Sequence, residues 1–243
     1  MRTLLTFLSL VCSLGAQVAL RPPAFGCQVT GAHTLRTLEG LPASLIAVPL
    51  VGDAQAAACS SRLTVYQTSG RVVLLSGEEH FEFETSEAQM LAAGDEIAVA
   101  VSRVTGFVRT WNQGDWADSP LTLPADVRAI RITGANLMFL AEDRLITINI
   151  VSGIEQSNVR FDATSSPIAI LSSDSIITVV DNMWNRCVPS VCLPLAAAPS
   201  GVTSLEILNS EWIAVRLDSG DDLAIRPSAG GVESFQLPGE VRP

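Results

Sequence analysis

The residues best equipped for chemistry in this chain are carboxylates in short polar turns. Glu142 and Asp143 stand in "AEDRL", Asp181 in "VVDNM", and Asp218, Asp221 and Asp222 in "LDSGDDL". Trp116 stands in a similar polar run, "NQGDWAD", where an exposed indole would anchor a sugar or a protein. Grouped carboxylates can act in three ways. A ring of like charge focuses a negative potential on a cationic partner. Several carboxylate and carbonyl oxygens can hold Ca²⁺, and "DSGDD" is the local candidate. Two carboxylates at a set separation can hydrolyse a glycoside. Against all three stands the ordinary use of Asp in a tight turn, where the side chain bonds the nearby backbone and needs no ligand. The sequence therefore assigns no catalytic residue and no cofactor, with Ca²⁺ as the one ion the pattern admits.

Other chemistries lack their parts. The two histidines, His33 and His80, fall in or beside polar turns, and no Gly-x-Ser-x-Gly elbow accompanies them. All 15 basic residues are Arg, so Schiff-base chemistry and a P-loop lysine are excluded. The net charge of −10 disfavours nucleic acid and anionic lipid, which need a basic surface.

The first residues, "MRTLLTFLSLVCSLGAQVA", carry one Arg, an apolar stretch from Leu4 to Leu14 and then small residues. This is the pattern of a secretory signal peptide, expected over residues 1–19, with one domain over 20–243. The stretch is short for a membrane span, and no later segment is apolar for eighteen residues. The expected location is secreted or periplasmic. Cleavage would leave Cys27, Cys59, Cys187 and Cys192, an even number suited to two disulfides in an oxidising compartment. "CVPSVC" forms a natural small loop, so the preferred pairing is Cys187–Cys192 with Cys27–Cys59. Neither histidine is spaced with a cysteine as a zinc ligand would be, and no metal site is expected.

The turns that carry the carboxylates belong to a repeated unit. "RLTVYQTSGRVVLLSG", "EIAVAVSRVTGFVRTWNQG", "NLMFLAEDRLITINIVSG", "SIITVVDNMWNRCV" and "EWIAVRLDSGDDLAIRP" each read as an apolar strand, a short polar turn and a second strand. The first strands begin near Leu63, Ile97, Leu137, Ile176 and Trp212, at steps of 34, 40, 39 and 36 residues. A further apolar strand precedes each hairpin, and a more polar one follows, as in "HFEFET" and "SNVRFD". Continuous apolar runs such as "SIITVV" suit strands covered on both faces, and polar alternation suits strands facing water. A period near 40 residues of four short strands is that of a propeller blade.

By this pattern, residues 27–240 resemble degenerate β-propeller repeats of the WD40, YVTN or PQQ-like kind. "CQVTGAHTLRTLEGLP" resembles the turn between the third and fourth strands of such blades. The resemblance implies an all-β fold of about five four-stranded blades, with units beginning near 52, 88, 127, 166 and 202. Residues 22–50 add an N-terminal partial blade. Loops joining second to third strands, and loops leaving outer strands, would share one face. That face would collect Asp143, Asp181, Asp218, Asp221 and Asp222 with Glu87, Asp126 and Asp162. Trp111, Trp184 and Trp212 are expected in the core. The expected function is an exported, non-enzymatic scaffold for an unidentified protein partner. A glycan- or small-ligand-binding propeller and an acidic-face hydrolase are the alternatives.

Overall fold

The computed structural model describes residues 23–161 and 167–239. The expected signal peptide and Asp162 lie outside the described residues. Among the described residues the chain forms six antiparallel sheets in sequence order. The first blade has three strands, β1 (Ala24–Val29), β2 (Leu35–Glu39) and β3 (Ile46–Val51). The other five have four each. The second holds β4 (Ala56–Cys59), β5 (Leu63–Thr68), β6 (Arg71–Ser76) and β7 (Glu79–Glu84). The third holds β8 (Gln89–Ala93), β9 (Ile97–Ser102), β10 (Phe107–Asn112) and β11 (Asp115–Thr122). The fourth holds β12 (Val127–Thr133), β13 (Asn136–Ala141), β14 (Arg144–Asn149) and β15 (Glu155–Arg160). The fifth holds β16 (Ile168–Ser172), β17 (Ser175–Val180), β18 (Met183–Val188) and β19 (Val191–Ala197). The sixth holds β20 (Val202–Ile207), β21 (Ile213–Leu217), β22 (Asp222–Ser228) and β23 (Gly231–Gln236).

The expected five blades plus a partial one are thus a ring of six, the first of them three-stranded. Unit starts agree to within four residues. The largest offset is at 52, because Gly52–Gln55 is the connection from the first blade's outer strand back to the centre.

One backbone hydrogen bond recurs in every blade. The residue leaving the outer strand donates its N–H to a carbonyl in the turn between the second and third strands. The pairs are Ala54–His33, Thr85–Gly70, Leu123–Gly106, Phe161–Asp143, Ala198–Asn182 and Leu237–Asp222, all at 2.7–2.9 Å. The Ala54–His33 bond registers β1, β2 and β3 with the second, third and fourth strands of the other blades, so the turn in "CQVTGAHTLRTLEGLP" joins second to third strand and not third to fourth as the resemblance implied. The innermost position of the first blade therefore has no strand among the described residues.

Burial follows this order. Second strands are covered on both faces, as β9 is throughout, whereas β7 and β15 bury only alternate residues at most partly. The core lies between blades: Val99, Val101, Leu137 and Phe139 join the third and fourth, and Ile177, Trp184, Ile213 and Val215 join the fifth and sixth. Each such side chain contributes about 1.5–3 kcal/mol on burial. Trp111, Trp184 and Trp212 are buried as expected. Trp116 is not the exposed loop residue the sequence suggested. Gln113 and Gly114 both take positive φ and make a tight turn, so Asp115 already begins β11. The indole is half-buried, edge-on to Phe83 at 4.9 Å, and its N–H reaches the Phe81 carbonyl at 3.4 Å.

Both disulfides follow the preferred pairing. Cys27–Cys59 ties β1 to β4, and Cys187–Cys192 links directly opposed residues of β18 and β19. A close approach marks the seam between the sixth and first blades. A Cβ on Gly26 would lie 2.6 Å from the Leu208 carbonyl oxygen. Gly26→Ala is expected to lower the unfolding free energy by about 1–3 kcal/mol in urea titration. Gly52→Ala, with nothing within 4 Å of its Cβ, should stay within about 0.5 kcal/mol of the parent.

Candidate functional site

The recurring hydrogen bond puts the second-to-third-strand turns and the outer-strand exits at one end of the ring. Asp143, Asp181, Asp218, Asp221 and Asp222 are all at this end, with Glu87 and Asp126. They do not form one cluster. Asp143 accepts from Arg160 at 2.6 Å. Asp221 accepts from the Ser219 hydroxyl at 2.9 Å inside its own turn. Asp218 packs its carboxylate over Gly201. Asp181 is exposed in a turn with φ of 52°, beside Asn182 at 57°. Glu87 accepts from the Ser102 hydroxyl. The three carboxylates of "DSGDD" thus engage separate partners. Among the described residues, no three His, Cys, Asp or Glu side chains are grouped to hold a metal ion.

Asp222 has a different role. It faces Arg36 of β2 at 3.5 Å and Arg216 of β21 at 3.3 Å, with 11 % of its side chain exposed. Arg36 also donates to Gln28 Oε1 at 2.7 Å and to the Pro238 carbonyl at 2.5 Å. Arg216 donates onward to the Val29 carbonyl, and Asn209 Nδ2 donates to the Phe25 carbonyl at 2.8 Å. These two carbonyls lie on the edge of β1 that faces away from β2. Beside the network, Phe25, Trp212 and Phe235 pack at centroid distances of 4.9–5.9 Å.

Two further surfaces emerge at the first blade. Its outer strand β3, "IAVPLV", carries no charge and exposes Ile46 (53 %), Val48 (40 %) and Leu50 (42 %), with Leu41 (64 %) just before it. The outer strand of the second blade, "EHFEFE", is acidic by contrast. Beyond the end of β3, a cavity opens against the outer half of the second blade. Asp53, Tyr66, Arg71, Glu78, His80 and Glu82 are among its lining residues.

No protein-family model and no curated protein matches the sequence. Solved structures do match. The WD40 β-propeller domain of Doa1 is 11 % identical, with a TM-score of 0.57 over 89 % of this chain and 80 % of that one. The chain has the β-propeller fold. Kluyvelomyces marxianus Hsv2 is 6 % identical, with a TM-score of 0.48 over 85 % of this chain and 79 % of that one. PorZ is a bacterial surface component of the type-IX secretion system of Porphyromonas gingivalis. It is 13 % identical, with a TM-score of 0.49 over 76 % of this chain and 28 % of its own.

Sequence reading found the turn carboxylates of this propeller but missed its seam, rim strip and cavity. The uncharged "IAVPLV" was a legible signal for the rim, since the other outer strands except β19 carry charge. No local signal joins Arg36 to Asp222.

At the seam, Glu206 of β20 also lies near Arg216 and Asp222. Burial, above all, pushes its carboxyl above the usual value of 4.5, with Asp222 reinforcing and Arg216 opposing. A folded propeller that holds this proton more tightly than the unfolded chain loses stability as pH rises through and above that value. Glu206→Gln should therefore raise the urea midpoint over the parent most at about pH 8, with the gain vanishing toward about pH 4. Urea titrations across that range check this, and a gain that grows on acidification would contradict it.

Proposed function

We propose that this propeller is a non-catalytic scaffold that docks a protein partner through the apolar outer edge of its first blade. The observation that carries this reading is the exposed strip on β3. Ile46 and Val48 stand two residues apart, hence on one face of the strand, and Leu50 and Leu41 extend the strip. Contiguous apolar surface at a rim marks interaction sites, because water contact there is unfavourable and a partner relieves it. Pro49 lacks an N–H, and β3 has a bulge against β2 between the Leu35 and Arg36 pairs. Both disfavour strand addition at this edge, so the partner is held by side-chain packing. Asp143, Asp221, Asp222 and Glu87 are each taken by a partner within the fold, which favours a structural role over a hydrolytic one.

The same reading places the protein outside the reducing cytosol. Two disulfides support an oxidising compartment, periplasmic or extracellular.

The test is affinity capture of the tagged mature protein from the exporting compartment, beside a Val48→Glu/Leu50→Glu variant. The parent should hold a partner in stoichiometric amount. The variant should lose it at least about tenfold, since one tenfold step needs only 1.4 kcal/mol of lost contact. Its thermal midpoint should not change, because both side chains are exposed. A partner retained equally by both proteins would overturn docking at this edge.

A further inference from the structure

The cavity at the end of β3 has a volume of about 490 Å³. Its floor includes Tyr66, on β5 opposite Val73. The Tyr66 residue is 8 % exposed, packed with Cys27, Val29 and Val73 between the first two blades. Its hydroxyl has no hydrogen-bond partner among the described residues, although the ring lines the cavity. The hydroxyl is not fully covered, so it is open to the cavity and available to a ligand. Burial raises its ionisation above 10.0, so it stays a neutral donor and acceptor.

The wall is acidic. Asp53, Glu78 and Glu82 line it together with one arginine, Arg71, and with His80, and Glu82 is already paired with Arg71 at 3.2 Å. Asp53 and Glu78 have no ion-pair partner among the described residues. Asp53 is fixed in the turn after β3 with φ of 63°. The volume is in the range of small-molecule sites, about 300–1,000 Å³. A bare metal ion would leave it nearly empty, and the lining lacks a cluster of metal ligands.

We propose that this cavity binds an organic cation of amino-acid size, namely the arginine or lysine side chain of a peptide. Asp53 and Glu78 supply the counter-charge, and the Tyr66 hydroxyl supplies an unpartnered acceptor for an N–H of the cation. None of the strip residues Ile46, Val48 and Leu50 lines the cavity, although Val51 of the same strand does, and neither site requires the other.

Tyr66 is the only tyrosine in the chain. Protein labelled with 3-fluorotyrosine therefore gives one fluorine resonance, located in this cavity. The probes are the blocked tripeptides Gly-Arg-Gly and Gly-Lys-Gly, with Gly-citrulline-Gly as the neutral counterpart of the first. A saturable shift with either cationic peptide in the millimolar range, absent with citrulline, is expected. The shift should need about three- to tenfold more peptide in Asp53→Asn/Glu78→Gln, in line with partly exposed ion pairs. It should persist unchanged in Val48→Glu/Leu50→Glu, so a failure here is distinct from a failure of docking on β3. No shift with either cationic peptide at about 10 mM, an equal shift with citrulline, or an unaltered response in the carboxylate variant would overturn the proposal.

Discussion

A ring of blades encoded one after another has one junction that chain order does not supply: the last blade must meet the first. Here that junction is made by side chains. Arg36, 4 % exposed, is held by Asp222 and Gln28 and by the Pro238 carbonyl. Asp222 binds Arg216, and Arg216 reaches back to the first blade at Val29. A buried charge left without its partner costs about 3–5 kcal/mol, which is a large part of a domain's net stability. The aromatic group of Phe25, Trp212 and Phe235 adds apolar cover beside these charges. Closure fixes the angular spacing of all six blades, and with it the turn face and the gap between the first two blades where Tyr66 lies.

Most of the blade order is legible in the sequence because second strands are covered on both faces. Such strands read as "IAVAVS", "NLMFLA" and "SIITVV", and their spacing counts the blades. The first blade is less legible. Its second strand, "AFGCQV", contains a glycine and a bulge where Leu208 comes close, so its apolar run is broken. Trp116 was misplaced for a local reason, since Gln113 at positive φ gives a two-residue turn that its type does not advertise. The turn carboxylates could be placed on one face, yet their partners could not be read. Arg160 meets Asp143 through strand pairing, whereas Arg36 meets Asp222 only after the ring has closed.

The outer strands show how such a ring manages its exposed edges. β7 carries Glu79, Glu82 and Glu84; Arg71 neutralises Glu82 by pairing with it, and Arg109, itself paired with Asp118, lies over the Phe83 ring at 4.5 Å. β23 carries Glu233, bound by Arg226 at 2.6 Å. β3 uses a proline and a bulge in place of charge. It blocks strand pairing while leaving aliphatic side chains in water, a combination that favours recognition over aggregation.

The inner edge of β1 has a consequence for how the chain is made. Two of its outward carbonyls, Phe25 and Val29, are taken by Asn209 and Arg216, which come from the far end of the sequence. At a synthesis rate of about 5–20 residues per second, roughly 10–40 s separate the appearance of β1 from that of its caps. During that interval the edge is an open template for a strand of any neighbouring chain. The Cys27–Cys59 bridge joins the first blade to the second, both of which emerge early. It can hold β1 in place but cannot cover its edge. That edge therefore stays open to a neighbouring chain until Asn209 and Arg216 have been made.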